Sequence, residues 1–179
     1  MKYLVTGGSG FLGVNLVRHL LDAGDEVRSL DIAPFDHPGT AAVSHLVGDI
    51  RDRETVLRAM AGVDVVVHCA AALPLYRPDQ IHSIDVEGTR VLLQAACDLG
   101  VPRVLCLTAT ATPAVAADIR REFGIAEGDH VQLSFHRDNL DLRVSPVAAD
   151  GRKALLLRRV EAVEGAVVVY VTLQQTAEE

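Results

Sequence analysis

The sequence predicts an α/β fold, a doubly wound parallel sheet with helices on both of its faces. Three observations predict it. Short apolar runs alternate with segments of helical periodicity. The first run stops at a glycine cluster that opens a helix. The run 63–70 is apolar almost without a break, as a strand covered on both faces reads.

Taken in order, Lys2–Thr6 is a strand that ends at Gly7, Gly8 and Gly10. Over 11–23, Leu12, Leu16, Leu20 and Leu21 recur at helical spacing, and Gly24 closes the pattern. Glu26–Asp31 and 43–48 are the next strands. Residues 52–61 form a helix capped by Asp52, with Val56, Leu57 and Met60 on one face. After the strand 63–70, a long helix over 79–99 ends at Gly100, and Pro102 bars its continuation. Its apolar stripe, Ile84, Val91, Leu92 and Ala95, reads as core. A fifth strand over 103–107 completes the first part, 1–107. Parallel strands joined through helices imply right-handed crossovers.

The second part, 108–179, reads as a looser α/β extension. Helices are expected over Pro113–Phe123, stopped by Gly124, and over 152–163, with Leu155, Leu156 and Val160 on an apolar face. Strands are expected over 130–135, 140–147 and 166–173, adding one to three to the sheet. The tail 174–179 is polar.

A chain of 179 residues, 49% hydrophobic and 23% charged, can bury a core without disulfides or metals. No apolar run reaches the roughly 20 residues that cross a bilayer, so no membrane association is expected, and the start lacks the pattern of a secretory signal. The net charge of −7 is shared by both parts, which argues against nucleic acid as a partner. Three cysteines, Cys69, Cys97 and Cys106, sit in apolar segments and read as reduced, buried thiols of a cytoplasmic protein. None of the seven histidines has metal-ligand spacing, and His68, inside an apolar strand, reads as a core residue. A G-x-S-x-G elbow is absent.

The chemistry is concentrated in the glycine turn. Gly7, Gly10 and Gly13 are spaced G-x-x-G-x-x-G between a strand and a helix. Gly7 permits a tight turn, Gly10 lets the backbone approach a diphosphate, and Gly13 lets the helix pack closely on the sheet. The helix starting near Phe11 and Leu12 directs free N–H groups at the phosphates. Asp31 ends the second strand 18 residues after Gly13. Its carboxylate suits the adenosine ribose hydroxyls and repels a 2′-phosphate, so the expected ligand is NAD, favoured over NADP.

Thr6-Gly7-Gly8-Ser9-Gly10-Phe11-Leu12-Gly13, Leu30-Asp31, Gly48-Asp49-Ile50-Arg51-Asp52 and Val67-His68-Cys69-Ala70-Ala71 resemble the extended short-chain dehydrogenase/reductase family. This is the group of NAD-dependent epimerases, dehydratases and 3β-hydroxysteroid-type dehydrogenases, and the resemblance runs from Met1 to about Leu107. It implies that Asp49 and Ile50 flank the adenine and that Ala70, Ala71 and Ala72 line the path to the nicotinamide. Asp85-Val86-Glu87-Gly88-Thr89 matches the family's N-V-x-G-T, with Asp85 where the family has Asn. The equivalent helix in that family also pairs subunits, which leaves a homo-oligomer open.

The family's proton-transfer pair, a Tyr with a Lys four residues on, does not occur. Tyr3, Tyr76 and Tyr170 are followed at that spacing by Gly7, Gln80 and Gln174, and the two lysines are Lys2 and Lys153. Thr110 falls at the position of the family's Ser/Thr, and the family's C-terminal substrate-binding region has no counterpart. The expectation is a dinucleotide-binding protein that is catalytically incomplete.

A second resemblance begins where the first ends. Leu107-Thr108-Ala109-Thr110-Ala111-Thr112-Pro113, Ser134-Phe135-His136-Arg137-Asp138-Asn139-Leu140 and Val168-Val169-Tyr170-Val171 are similar to RecQ-type DNA helicases over about 105–179. The phosphate-gripping G-x-x-x-x-G-K-[ST] loop and the D-E-x-H segment are absent, so a working motor is not expected. Two resemblances meeting near Thr108 read as a chimera. The alternatives are a nucleic-acid-binding fragment and a fusion with no evolved activity.

Overall fold

The computed structural model describes residues 1–37, 42–108, 111–133, 139 and 143–169. Five strands, β1 (Lys2–Thr6), β2 (Glu26–Asp31), β3 (Ser44–Val47), β4 (Val65–His68) and β5 (Arg103–Cys106), form one parallel sheet in the order β3-β2-β1-β4-β5. β1 lies at its centre, with Tyr3 opposite Val27 on one side and Val65 on the other. The expected doubly wound sheet is therefore present.

Alternation of side chains along β1 divides the core in two. Val5 faces one way and packs with Val17 and Leu20 of α1 (Phe11–Asp22) and with Val27. Leu4 faces the other way and joins Leu30, Val66, Val56 and Met60 of α2 (Arg53–Met60) and Leu92, Ala95 and Ala96 of the helix before β5. All four residues of β4 are buried, which is why that strand reads as a continuous apolar run. Asp52 caps α2 as expected: its carboxylate accepts the Glu54 N–H at 3.1 Å and the Thr55 hydroxyl at 2.6 Å.

The long helix before β5 is not uniform. It comprises α3 (Pro78–Ile81), a π-helical stretch (His82–Gly88) and α4 (Thr89–Asp98). The wider π turns carry Asp85, whose carboxylate reaches the loop after β4. Gly88 packs in this stretch against Ile50, whose Cδ1 lies 2.7 Å from where a Cβ would stand. α1 also departs in detail from its expected stripe. Its buried face is Gly13, Val14, Val17 and Leu20, while Leu12 is 52% exposed.

α5 (Pro113–Phe123) has the expected bounds. Thr112 caps it by accepting the Val115 N–H, and Gly124 ends it in the left-handed conformation at φ +62°. Met1–Ala126 forms one compact unit and Glu127–Glu179 a second. In the second, α6 (Arg152–Glu161) half-buries Leu155 and Val160 and leaves Leu156 exposed.

The strands expected over 130–135, 140–147 and 166–173 do not form among their described residues, 130–133, 143–147 and 166–169. A β-branched run becomes a strand only where a partner edge and a face to bury are supplied, and Val144 is 93% exposed. The cysteines are free thiols, as expected. Cys97 and Cys106 are nevertheless exposed rather than buried, because one lies on the outer side of α4 and the other ends the edge strand β5.

Candidate functional site

The C-terminal ends of β1, β2 and β4 meet around the glycine turn. Gly7 adopts φ +69°, a region open to glycine at little cost, and its N–H donates to the Leu30 carbonyl at 2.9 Å. A Cβ on Gly7 would stand 2.6 Å from the Ala70 nitrogen, so the turn lies directly against the segment that follows β4. Gly13 is still more constrained: a Cβ there would lie 2.1 Å from the Gly7 carbonyl oxygen. Helix α1 can start this close to the strand only with glycine at that position.

Gly10 is the residue before the first turn of α1, and no side chain caps that end. The first intrahelical bond runs from Val14 N–H to the Gly10 carbonyl at 2.9 Å. The N–H groups of Phe11, Leu12 and Gly13 therefore face outward without a helical acceptor, at the positive end of the helix dipole. Phe11 is 91% exposed, so it is the backbone of this residue, not its ring, that the fold presents.

Asp31 turns toward this turn. One carboxylate oxygen accepts the Ser9 N–H at 2.9 Å and the other accepts the Ala33 N–H at 3.0 Å. The Ser9 hydroxyl donates to the Ala33 carbonyl at 3.2 Å and closes the same link. Each carboxylate oxygen keeps a further lone-pair direction for a ligand hydroxyl.

Asp49 lies just beyond β3, beside Asp31: the Gly48 N–H donates to the Asp31 carbonyl at 2.8 Å. Arg51 grips the Asp49 carboxylate, with its Nε 3.0 Å from one oxygen and its Nη2 2.5 Å from the other. The guanidinium holds the Asp49 carboxyl below the usual carboxylate range. Arg51 also donates to the Ser83 hydroxyl at 3.1 Å, which ties the loop after β3 to the π stretch. Ile50 is only 5% exposed, so its side chain belongs to the core beneath Gly88.

On the other side of β1, Ala70 and Ala72 are half-buried and Ala71 is exposed. The Ala72 N–H donates to the Asp85 carboxylate at 2.7 Å. Beneath them His68 is buried between two hydroxyls, 2.7 Å from the Thr6 Oγ1 and 3.0 Å from the Thr89 Oγ1. It is a satisfied core histidine that joins β1, β4 and α4, and burial pushes its pKa down. Burial likewise pushes the Cys69 thiol up to about 11, which leaves it protonated and unreactive near neutral pH.

The structure thus brings together Gly7, Gly10, Phe11, Leu12, Gly13, Asp31 and Ala70–Ala72, with Asp49 and Ile50 one strand further out. Thr110 lies outside the described residues, as do residues 134–138 and 140 of the helicase-like motif. Sequence reasoning did not assign a role to Ser9, to Arg51, or to Gly8. A Cβ on Gly8 would stand 2.1 Å from the Ser29 Oγ, a contact between β2 and the turn that only the three-dimensional fold reveals.

A parallel sheet ordered β3-β2-β1-β4-β5, with a glycine turn feeding a helix at the point where the order reverses, defines a Rossmann-type nucleotide-binding fold. The model of the 3-beta hydroxysteroid dehydrogenase/isomerase family matches residues 4–136, and the chain belongs to that family. It is 43% identical over 111 residues to a 3-beta-hydroxysteroid dehydrogenase of Mycolicibacterium neoaurum, covering 57% of this chain and 30% of that protein. It is 40% identical over 112 residues to sterol demethylase protein B of Methylococcus capsulatus, covering 59% and 33%. Among solved structures, it is similar to the UDP-glucose 4-epimerase of Thermus thermophilus in complex with NAD (TM-score 0.53, 32% identity, 58% of this chain and 36% of that one). It is similar also to a short-chain dehydrogenase/reductase superfamily protein of Agrobacterium tumefaciens with bound NAD (TM-score 0.54, 32% identity, 59% and 32%).

The chain spans about a third of the length of these curated relatives. The family match crosses Thr108 and includes α5, and none of these comparisons supports the helicase resemblance. Among the described residues, no helix is long and apolar enough to cross a membrane.

Proposed function

We propose that the chain binds a nicotinamide dinucleotide, NAD in preference to NADP, through the glycine turn and Asp31. The observation that carries this reading is the direct bond between Asp31 and the turn. It sets a carboxylate that suits a ribose diol beside backbone N–H groups that suit a diphosphate, the two recognition elements of an adenosine diphosphate. The residues fit the group: the N–H groups of Phe11, Leu12 and Gly13 are uncapped, and Gly10 places no side chain over them. The similar structures that contain NAD support the same cofactor.

In this reading Asp31 orients the adenosine ribose and excludes a 2′-phosphate by charge repulsion. Asp49, locked by Arg51, offers a carboxylate to the adenine side, and Ala70–Ala72 flank the nicotinamide side. When bound, the cofactor supplies the capacity to accept or give a hydride. The 179 residues hold no tyrosine with a lysine four residues on, so the reading is of binding without the family's proton-transfer pair.

Isothermal calorimetry with NAD tests this. Saturable binding in the micromolar to millimolar range, weakened by Asp31→Ala, is expected. Heats indistinguishable from dilution, together with an unchanged melting temperature in millimolar NAD, would reject it.

A further inference from the structure

We propose that Asp85 makes the site sense the redox state of its cofactor, holding NAD⁺ more tightly than NADH. This rests on the dinucleotide reading above and adds a preference within it.

The placement follows from the turn. Asp31 lies on the β2 side of Gly7–Gly13, so the adenosine half extends over β2 and β3. The diphosphate occupies the start of α1, where the strand order reverses. The second nucleoside must then lie on the β4 side. The first chain segment it meets there is 70–72, which sits against Gly7 itself, 2.6 Å from the position of a Gly7 Cβ. Asp85 is anchored to that segment through the Ala72 N–H at 2.7 Å. Asp85 lies in the π-helical stretch His82–Gly88, and this bond places its carboxylate at the segment that follows β4.

The charge on Asp85 is poorly compensated. Its hydrogen bond comes from a neutral peptide N–H, and no described Lys or Arg lies within ion-pair distance. The Asp85 charge favours protonation of the nearby His68 ring, but burial outweighs it and holds the ring toward its neutral form, engaged by two threonine hydroxyls. The carboxylate is half-buried, where screening by water is reduced. The oxidised nicotinamide ring carries a positive charge and the reduced ring carries none. A negative charge beside this subsite therefore favours the oxidised ring, and a neutral amide in its place does not.

The test is a set of titrations of NAD⁺, NADH and ADP-ribose, which lacks the nicotinamide, into the unaltered chain and Asp85→Asn. Asparagine keeps the oxygen that accepts the Ala72 N–H, so the loop tether is retained while the charge is removed. The unaltered chain is expected to bind NAD⁺ about fivefold more tightly than NADH, the scale of one partly screened charge pair. Asp85→Asn is expected to bring the two affinities together by weakening NAD⁺ alone, with ADP-ribose unaffected. In the unaltered chain the preference should also shrink as salt rises to about 0.5 M. This arm stands even if the variant folds poorly. Equal affinities for the two forms, or a preference that survives both the substitution and salt, would overturn the proposal while leaving dinucleotide binding intact. Failure of ADP-ribose to bind as well would instead remove the reading on which it rests.

Discussion

The Ser9 N–H and the Asp31 carboxylate lie 2.9 Å apart, so the residue that ends β2 holds the turn that follows β1. Asp31 thereby shapes the turn in the free protein, and in the function proposed above it also holds the ribose. Asp31→Ala is expected to cost about 1–2 kcal/mol of NAD affinity, the scale of lost charge-assisted hydrogen bonds. Asp31→Asn should lose less affinity for NAD and gain affinity for NADP, since the repulsion is gone while an acceptor remains. Parallel titrations of both cofactors into both variants check this, and an unchanged NAD-to-NADP ratio in Asp31→Asn would contradict it.

Gly8 and Ser29 form a second, tighter link between the same elements. The Ser29 hydroxyl is fully buried and has no hydrogen-bond partner, and a Cβ on Gly8 would overlap it at 2.1 Å. Ser29→Ala is therefore expected to leave stability unchanged or raise it slightly, because a desolvated and unpaired hydroxyl is removed. Gly8→Ala should destabilise by about 1–3 kcal/mol through overpacking. The double variant should recover part of that loss, since the remaining Ser29 Cβ stands at 3.0 Å. A double-mutant cycle of denaturant unfolding measures the coupling.

His68 makes stability depend on pH. Burial lowers its folded-state pKa below the ordinary value of 6.5, so the unfolded chain takes up the proton first as pH falls. Its contribution is complete above about 6.5, is lost as pH drops from there toward the folded pKa, and changes by up to about 1.4 kcal/mol per pH unit within that window. Urea unfolding between pH 8 and pH 5 should show this slope. His68→Gln, which can still bond both threonine hydroxyls but cannot titrate, should flatten it. An equal slope in the variant would assign the effect to other groups.

The features that were legible in the sequence are those whose cause is local. The bounds of α5 follow from a Thr112 cap, Pro113 in the first turn and a left-handed Gly124, all written in adjacent residues. The helices α1, α2 and α4 that precede β2, β4 and β5 follow from period, and the close approaches at Gly7 and Gly13 follow from what a strand–turn–helix requires. What could not be read depends on contacts between distant residues. The π stretch owes its shape to nothing in its own period, and Asp85 meets Ala72 only once β4 and the helix are packed. The grip of Arg51 on Asp49 is a loop conformation rather than a pattern. The β-branched residues Val167, Val168 and Val169 have the propensity of a strand, but propensity alone does not make one, and no strand forms among the described residues there.

Leu92 and Leu12 separate core from surface in a way that helical spacing alone does not. Both sit on apolar stripes, yet Leu92 is 0% exposed among Ile50, Ala59 and Val66, whereas Leu12 at the start of α1 is more than half exposed. Truncating Leu92 removes its transfer free energy and leaves a cavity that the two helices and the sheet close only in part. Leu92→Ala is therefore expected to destabilise by about 2–5 kcal/mol, enough to unfold a marginal domain near physiological temperature. Leu12→Ala should change stability by about 0.5 kcal/mol or less, because water already reaches the side chain and alanine is the better helix former. Denaturant midpoints for the two variants, compared at an unchanged slope, decide the matter: a loss at Leu12 as large as that at Leu92 would mean that α1 is packed more deeply than its exposure shows.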